Sequence, residues 1–134
     1  MCTSSFDTVF KEELLTALET AIEGVSASNP VKALLLTNPH NPLGICYPKW
    51  LIEDILRFCS SHNIHLISDE VYAMSTFDNG ETAESEPFVS VLSLDLEELG
   101  VNASSVHVVW SLSKDFGQSG IRMVCDTINN SILC

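Results

Sequence analysis

Lys114 is the residue whose type and position point most directly to covalent chemistry. It follows the apolar run Val106–Trp110 and is preceded by two hydroxyl residues, Ser111 and Ser113. A lysine amine beside a buried strand can be a nucleophile, because desolvation disfavours its protonated form. The alternative is an ordinary solvated loop lysine, so the neighbouring residues must decide between the two interpretations.

Arg122 supplies a cation close to this lysine in the sequence. It lies eight residues after Lys114, across Gly117 and Gly120. Two serine hydroxyls and a guanidinium on a loop made flexible by two glycines could converge on one dianionic phosphate. Together with a candidate nucleophilic lysine, this set indicates a phosphorylated aldehyde cofactor.

Three further polar residues follow two other apolar runs. Asp69 could keep the ring nitrogen of such a cofactor protonated, which the electron-sink chemistry of pyridoxal phosphate (PLP) requires. Tyr72 and Asn41 could hydrogen-bond the phenolate oxygen of the same ring. Each also has a structural interpretation: Asp69 as a cap, Tyr72 as a packed aromatic and Asn41 as a turn former.

The elements that must position these residues alternate between strands and helices. Apolar spacing predicts, in chain order, a helix over Lys11–Val25, a strand over Val31–Leu36, a helix from Pro48 to about His62, a strand over Ile64–Ser68, an exposed loop over Asp78–Glu86, a short helix or turn over Leu92–Gly100 and a strand over Val106–Trp110. Such short, almost unbroken apolar strands are typical of a parallel sheet covered on both faces. We therefore expect an α/β fold whose polar residues gather at the carboxyl ends of the strands, where open sheets bind ligands.

Composition narrows the class of protein. The chain has 134 residues, enough for one domain, and its net charge of −12 argues against nucleic-acid and anionic-membrane partners. The five cysteines are an odd number without metal-ligand spacing, which favours reduced thiols in a cytoplasmic protein and no metal site. We see no basic and apolar leader at the N-terminus, and no apolar run approaches the roughly 18 residues of a membrane span. No GxGxxG follows a strand, which argues against dinucleotide binding.

Three strings of the sequence, in this order and spacing, resemble a known family. NPHNPLG over Asn38–Gly44, DEVY over Asp69–Tyr72 and SLSKDFG over Ser111–Gly117, followed by Gly120–Arg122, are similar to class I/II aminotransferases of fold type I. Within these enzymes the strings are most similar to the 1-aminocyclopropane-1-carboxylate synthase-like branch. The resemblance implies that residues 1–124 are part of the PLP-binding large domain, with parallel strands and flanking helices, and that residues 125–134 form a divergent tail.

The resemblance also implies a role for each motif residue. Lys114 would hold PLP as a Schiff base and move protons once an amino-acid substrate has displaced it. Full-length members of the family are expected to be homodimers. The implied cofactor contacts are the pyridine nitrogen for Asp69, the phenolate oxygen for Asn41 and Tyr72, and the phosphate for Ser111, Ser113 and Arg122.

The sequence departs from the family in ways that leave two functions open. Family members are much longer, and we expect this chain to be truncated: it has no assignable ring-stacking aromatic and no arginine for the substrate carboxylate, and Val124 replaces an expected glycine. The first function is a PLP-dependent transferase or lyase. The second is an inactive fragment with weak or no PLP binding that serves only for dimerisation or interaction.

Overall fold

The computed structural model describes residues 13–77, 86–121, 123–128 and 131–133. Its helices and strands alternate along the first three strands and end in two further strands. The elements are α1 (Glu13–Glu23), β1 (Ala33–Thr37), α2 (Lys49–Ser61), β2 (His65–Asp69), β3 (Val106–Ser111), α3 (Leu112–Asp115), β4 (Val124–Ile128) and β5 (Ser131–Leu133), with short 3-10 turns at Ala73–Ser75, Val91–Ser93, Ala103–Ser105 and Ser119–Ile121.

The strands form one five-stranded sheet in the order β1-β2-β3-β4-β5. Strands β1, β2 and β3 are parallel, whereas β4 pairs antiparallel with β3, and β5 pairs antiparallel with β4. The predicted α/β fold with a parallel sheet is therefore confirmed. The two antiparallel strands were not predicted. The sheet continues across the predicted domain boundary at residue 124, and that boundary stays a prediction.

The core lies on one face of the sheet. Four residues of α2 are fully buried, at the spacing that places them on one side of a helix: Leu51, Ile52, Ile55 and Leu56. They pack in one cluster with Leu36, Leu66 and Val108 of the sheet, and apolar residues of α1 pack against that cluster. The side chains of β1, β2 and β3 that point to this face are thereby removed from water.

The opposite face of the sheet differs from expectation. Leu35 of β1 points away from the core and is 64% exposed, so the prediction that this strand is buried on both faces is wrong. The physical reason is that α1 and α2 both contribute to the cluster on one side. An apolar run shows only that a strand can be buried on both faces, because the residues that cover each face must come from other segments.

Most predicted boundaries lie within two residues of the observed ones. Lys11 and residue 12, at the start of the first predicted helix, are outside the described residues, as is most of the predicted loop over Asp78–Glu86. The ambiguous segment over Leu92–Gly100 is a 3-10 turn followed by further turns. No described helix is long and apolar enough to cross a membrane.

The cysteines do not all match the predicted reduced state. Cys46 and Cys59 are free and buried, whereas Cys125 is in a disulfide bond. The expectation of reduced thiols is therefore wrong for Cys125. Cysteine count and spacing could not reveal this bond, because they do not show which sulfur atoms the fold brings together.

Candidate active site

The predicted site residues follow three strands whose carboxyl ends meet at one edge of the sheet. In the parallel register Thr37 lies opposite Asp69, and Asp69 lies opposite Val109. Helix α3 begins directly after Ser111, the last residue of β3. The loop carrying Asn41, the end of β2 and the helix carrying Lys114 therefore share this edge, as strand order and direction require.

Lys114 and Tyr72 are brought together. The Nζ atom of Lys114 lies 5.7 Å from the centroid of the Tyr72 ring, within the range of a cation–π contact. Lys114 is exposed and Tyr72 is half-buried. An amine and a phenol thus lie together at the carboxyl edge of the sheet, whereas their predicted contacts with a cofactor stay a prediction.

Asp115 connects the segments that carry these two residues, and sequence reasoning missed it. Its Oδ2 atom accepts a hydrogen bond from Nε1 of Trp110 at 2.7 Å and another from the backbone N–H of Met74 at 3.3 Å. Its Oδ1 atom accepts a hydrogen bond from Oγ of Ser75 at 3.0 Å. The only sequence signal was its place beside the lysine, since none of its three partners can be inferred from spacing.

Ser111 caps the short helix that carries the lysine. It is 5% exposed, and its Oγ atom accepts a hydrogen bond from the N–H of Ser113 at 3.1 Å. The same hydroxyl donates to the carbonyl of Met123 at 2.9 Å. Ser111 thus joins α3 to the segment before β4. Arg122, the predicted phosphate cation, lies outside the described residues.

Asp69 ends β2 at the centre of the three parallel strands. It is partly buried, and its Oδ1 atom accepts a hydrogen bond from the N–H of Val71 at 3.3 Å. Its carbonyl accepts a hydrogen bond from the N–H of Asn38 at 3.0 Å. The capping role weighed for Asp69 therefore exists, and it is compatible with a second contact through the other carboxylate oxygen.

The loop after β1 is shaped by a buried asparagine. Asn38 is fully buried; its Nδ2 donates to the carbonyl of Val89 at 3.2 Å, and its Oδ1 accepts from the N–H of Tyr47 at 3.1 Å. The loop turns at Gly44, which has a φ of 67° and donates to the carbonyl of His40 at 2.7 Å. The loop leaves Asn41 exposed. Sequence reasoning singled out Asn41 and missed Asn38.

Glu70 is a second buried polar residue whose structural role the sequence analysis missed. It is 3% exposed, and its carboxylate accepts hydrogen bonds from Ser68 Oγ at 3.0 Å, Ser90 Oγ at 2.6 Å and the N–H of Val91 at 2.9 Å. Burial raises the pKa of Glu70 above its usual value, and the three hydrogen bonds counteract only part of that rise. Glu70 therefore fastens the segment around Val91 to the residue next to Asp69.

The polar side chains at this edge of the sheet are of the types that PLP requires. An exposed amine can reach an aldehyde, a carboxylate can meet a ring nitrogen, and a phenol and an exposed amide can meet a ring oxygen. The partly buried Ser113 and the capping Ser111 lie on the same short helix start. Among the residues that the structure describes, no group of three His, Cys, Asp or Glu side chains could hold a metal ion.

The known proteins that this chain matches belong to one family, and the chain covers only a part of each of them. The family described as aminotransferase class I and II matches residues 10–133. The probable aminotransferase aclI of Aspergillus oryzae is 52% identical over 113 residues, which cover 84% of this chain and 26% of that protein. The 1-aminocyclopropane-1-carboxylate synthase 6 of Arabidopsis thaliana is 43% identical over 108 residues, or 80% of this chain and 21% of that protein.

Solved structures agree with this result. OvoB is 29% identical with a TM-score of 0.65, covering 84% of this chain and 27% of that one. The N-succinyldiaminopimelate aminotransferase of Mycobacterium tuberculosis, at 23% identity and a TM-score of 0.65, shares the fold over 87% of this chain and 26% of its own. The chain thus spans about a quarter of the length of these relatives.

Proposed function

This chain belongs to the class I and II aminotransferases, and from that premise we propose that it binds pyridoxal 5′-phosphate through a Schiff base on Lys114 and acts on an amino acid. The observation that carries the proposal is the approach of Lys114 Nζ to the Tyr72 ring, 5.7 Å from its centroid, at the edge where Asp69 ends β2. The reaction proposed is that of an aminotransferase or of a 1-aminocyclopropane-1-carboxylate synthase-like lyase, as its relatives are named.

Lys114 has two tasks in this proposal. Its ε-amine would be the nucleophile that holds PLP covalently through the aldehyde group of the cofactor. With an amino-acid substrate bound, the amine of Lys114 would remove and return the proton at the substrate α-carbon. PLP when bound supplies the electron sink that makes this proton removable.

The other residues hold and tune the cofactor. Asp69 would keep a proton on the pyridine nitrogen, and Tyr72 and Asn41 would donate hydrogen bonds to the phenolate oxygen. Ser111, Ser113 and Arg122 contact the phosphate. In this structure the hydroxyl hydrogen of Ser111 is donated to Met123, so its contact with phosphate requires exchange of that acceptor.

For the whole protein we propose a homodimer, as the family resemblance implies, in the cytoplasm. Neither nucleic acid nor a membrane is proposed as a partner, because the net charge of −12 repels both kinds of anionic surface.

One observation favours the second function, a chain that binds PLP weakly or not at all and catalyses nothing. Lys114 is exposed on this chain, and a Schiff base open to water is subject to hydrolysis. Exclusion of water is what protects such bonds in an active site. The two functions therefore differ first in whether Lys114 is labelled selectively over other exposed lysines, and then in whether the labelled site turns over an amino acid.

Selective labelling can be measured directly. The chain is incubated with limiting PLP, reduced with borohydride, digested and analysed by mass spectrometry for pyridoxyl-lysine. We expect the label to concentrate on Lys114 and to be reduced by Asp69→Ala. Lys49→Ala is the matched control, because Lys49 is an exposed lysine on α2 that pairs with Glu53.

Two outcomes would contradict the proposal. Equal labelling of Lys114, Lys32 and Lys49 would show only random reaction of surface amines. Unchanged total labelling in Lys114→Ala would show the same. Selective labelling without turnover of any amino acid, tested with a 2-oxo acid as acceptor and for formation of 1-aminocyclopropane-1-carboxylate, would support binding without catalysis.

A further inference from the structure

Asp115 collects hydrogen bonds from two separate segments of the chain. The Trp110 indole on β3 and the turn Ala73–Ser75 both donate to its carboxylate, at distances of 2.7 to 3.3 Å. All three partners are donors, which suits an ionised carboxylate that can only accept. Hydrogen bonds to a charged acceptor are roughly twice as strong as neutral ones.

The turn and the helix held in this way carry the two residues that meet at the site. Tyr72 directly precedes the turn Ala73–Ser75, and Lys114 directly precedes Asp115 in α3. We propose that Asp115 is the positioning residue that sets the approach of Lys114 to Tyr72. It does so by holding the turn Ala73–Ser75, which follows Tyr72, against α3, which carries Lys114. This inference rests on the proposed function for its consequence, whereas the geometry itself can be tested without cofactor.

The Trp110 indole adds a contact between the Asp115 carboxylate and the sheet. Trp110 is on β3, so its indole links the carboxylate to the sheet, whereas Met74 and Ser75 link the carboxylate to the turn. The Trp110 ring also meets Phe116 edge to face, with centroids 6.2 Å apart and planes at 85°. The hydrogen bond of 2.7 Å from this packed indole therefore restrains the position of α3 relative to β3.

The chemistry of the side chain orders its possible replacements. Asparagine keeps one acceptor oxygen, which can serve the Trp110 and Met74 donors, and presents its amide to the Ser75 hydroxyl, which can rotate to accept. Alanine removes all three bonds. The positioning role therefore predicts that Asp115→Asn retains most of the geometry and that Asp115→Ala loses it.

The test without cofactor uses NMR on the purified chain. With ¹³C-labelled lysine, the ε-methylene signal of Lys114, assigned through Lys114→Arg, is shifted by the ring current of Tyr72, and Tyr72→Leu gives the unshifted reference. We expect Asp115→Ala to move the signal to that reference and Asp115→Asn to preserve the shift. Asp54→Ala, which removes an exposed carboxylate paired with Arg57 on α2, should leave it unchanged.

An unchanged Lys114 signal in folded Asp115→Ala would overturn the inference. If that variant does not fold, Ser75→Ala decides, because it removes one bond of the three. Partial loss of the shift supports the positioning role, and full retention overturns it.

The test with cofactor separates this inference from the proposed function. If Lys114 is the reactive amine, its labelling by PLP should slow at least about tenfold in Asp115→Ala, since a misplacement of about 1 Å can slow a reaction by about 100-fold. Asp115→Asn should restore most of the rate. Absence of selective labelling in the unaltered chain would refute the proposed function, while the NMR comparison would still decide the role of Asp115.

Discussion

The Oδ1 atom of Asn38 accepts a hydrogen bond from the backbone N–H of Tyr47 at 3.1 Å, closing the loop on which Asn41 is exposed. The amide of Asn38 also donates to Val89, so one buried side chain joins the loop to a distant segment. The two asparagines of this one motif therefore have different tasks: Asn38 shapes the loop, and Asn41 is presented by it.

Replacing Asn38 with alanine should destabilise the fold, whereas replacing Asn41 should not. Asn38→Ala removes two hydrogen bonds of a fully buried side chain, one from the N–H of Tyr47 and one to the carbonyl of Val89, and each such loss costs about 1–3 kcal/mol. We expect the free energy of unfolding, measured by urea titration, to fall by about 2–4 kcal/mol in Asn38→Ala and by under about 0.5 kcal/mol in Asn41→Ala. Equal effects of the two substitutions would contradict this division of tasks.

Much of this fold could be predicted because its signals are local. The apolar runs that became β1, β2 and β3 and the amphipathic spacing of α2 each lie within one short segment. Parallel pairing of the three strands then brings their polar ends to one edge. The gathering of Asp69, Lys114 and the Asn41 loop therefore followed from strand direction alone.

The features that escaped prediction depend on pairing between distant segments. Strand β4 has Asp126 and Thr127 among its five residues, so it lacks the apolar pattern of the other strands and forms by pairing with β3. Asp115 and Glu70 act through partners about 20 to 40 residues away. A sequence shows that such a side chain can accept hydrogen bonds, but not which donors the fold will bring to it.

The buried carboxyl of Glu70 should make stability depend on pH. Since burial raises its pKa in the folded chain, its contribution to stability is fully present below the unfolded value of 4.5 and is lost as pH rises through the folded value. We expect the free energy of unfolding of the unaltered chain to fall as pH increases above 4.5, and this fall to be smaller in Glu70→Gln. Urea unfolding at a series of pH values measures both.

The control for that comparison removes the same charge elsewhere. Glu97 is exposed, so Glu97→Gln changes the net charge by the same amount without altering a buried group. Its pH profile should follow that of the unaltered chain. Coincident profiles for Glu70→Gln and Glu97→Gln would show that general charge repulsion, rather than Glu70, causes the fall.

Ser111, which caps α3, and Ser113, which lies within α3, should differ in their effects on stability while both affect cofactor binding. Ser111→Ala removes a helix cap and a hydrogen bond to Met123, so we expect a loss of about 1–2 kcal/mol in unfolding free energy together with weaker labelling of Lys114 by PLP. Ser113→Ala keeps the backbone N–H that bonds to Ser111, so it should weaken labelling with little loss of stability. A larger loss of stability in Ser113→Ala than in Ser111→Ala would contradict these roles.

Thiol labelling should report on the core beneath the site. Cys59 is 3% exposed and burial raises its pKa to about 11, while Cys46 is 9% exposed and burial raises its pKa also. Because the thiolate is the reactive form, we expect iodoacetamide at neutral pH to modify Cys46 slowly and Cys59 only as urea unfolds the chain. Mass spectrometry of each peptide gives both rates, with Cys125 as the internal control, since its disulfide blocks labelling until reductant is added. Modification of Cys59 in native buffer at the rate of Cys46 would contradict the packing of α2 against the sheet, because only unfolding or a gap in that contact exposes its sulfur.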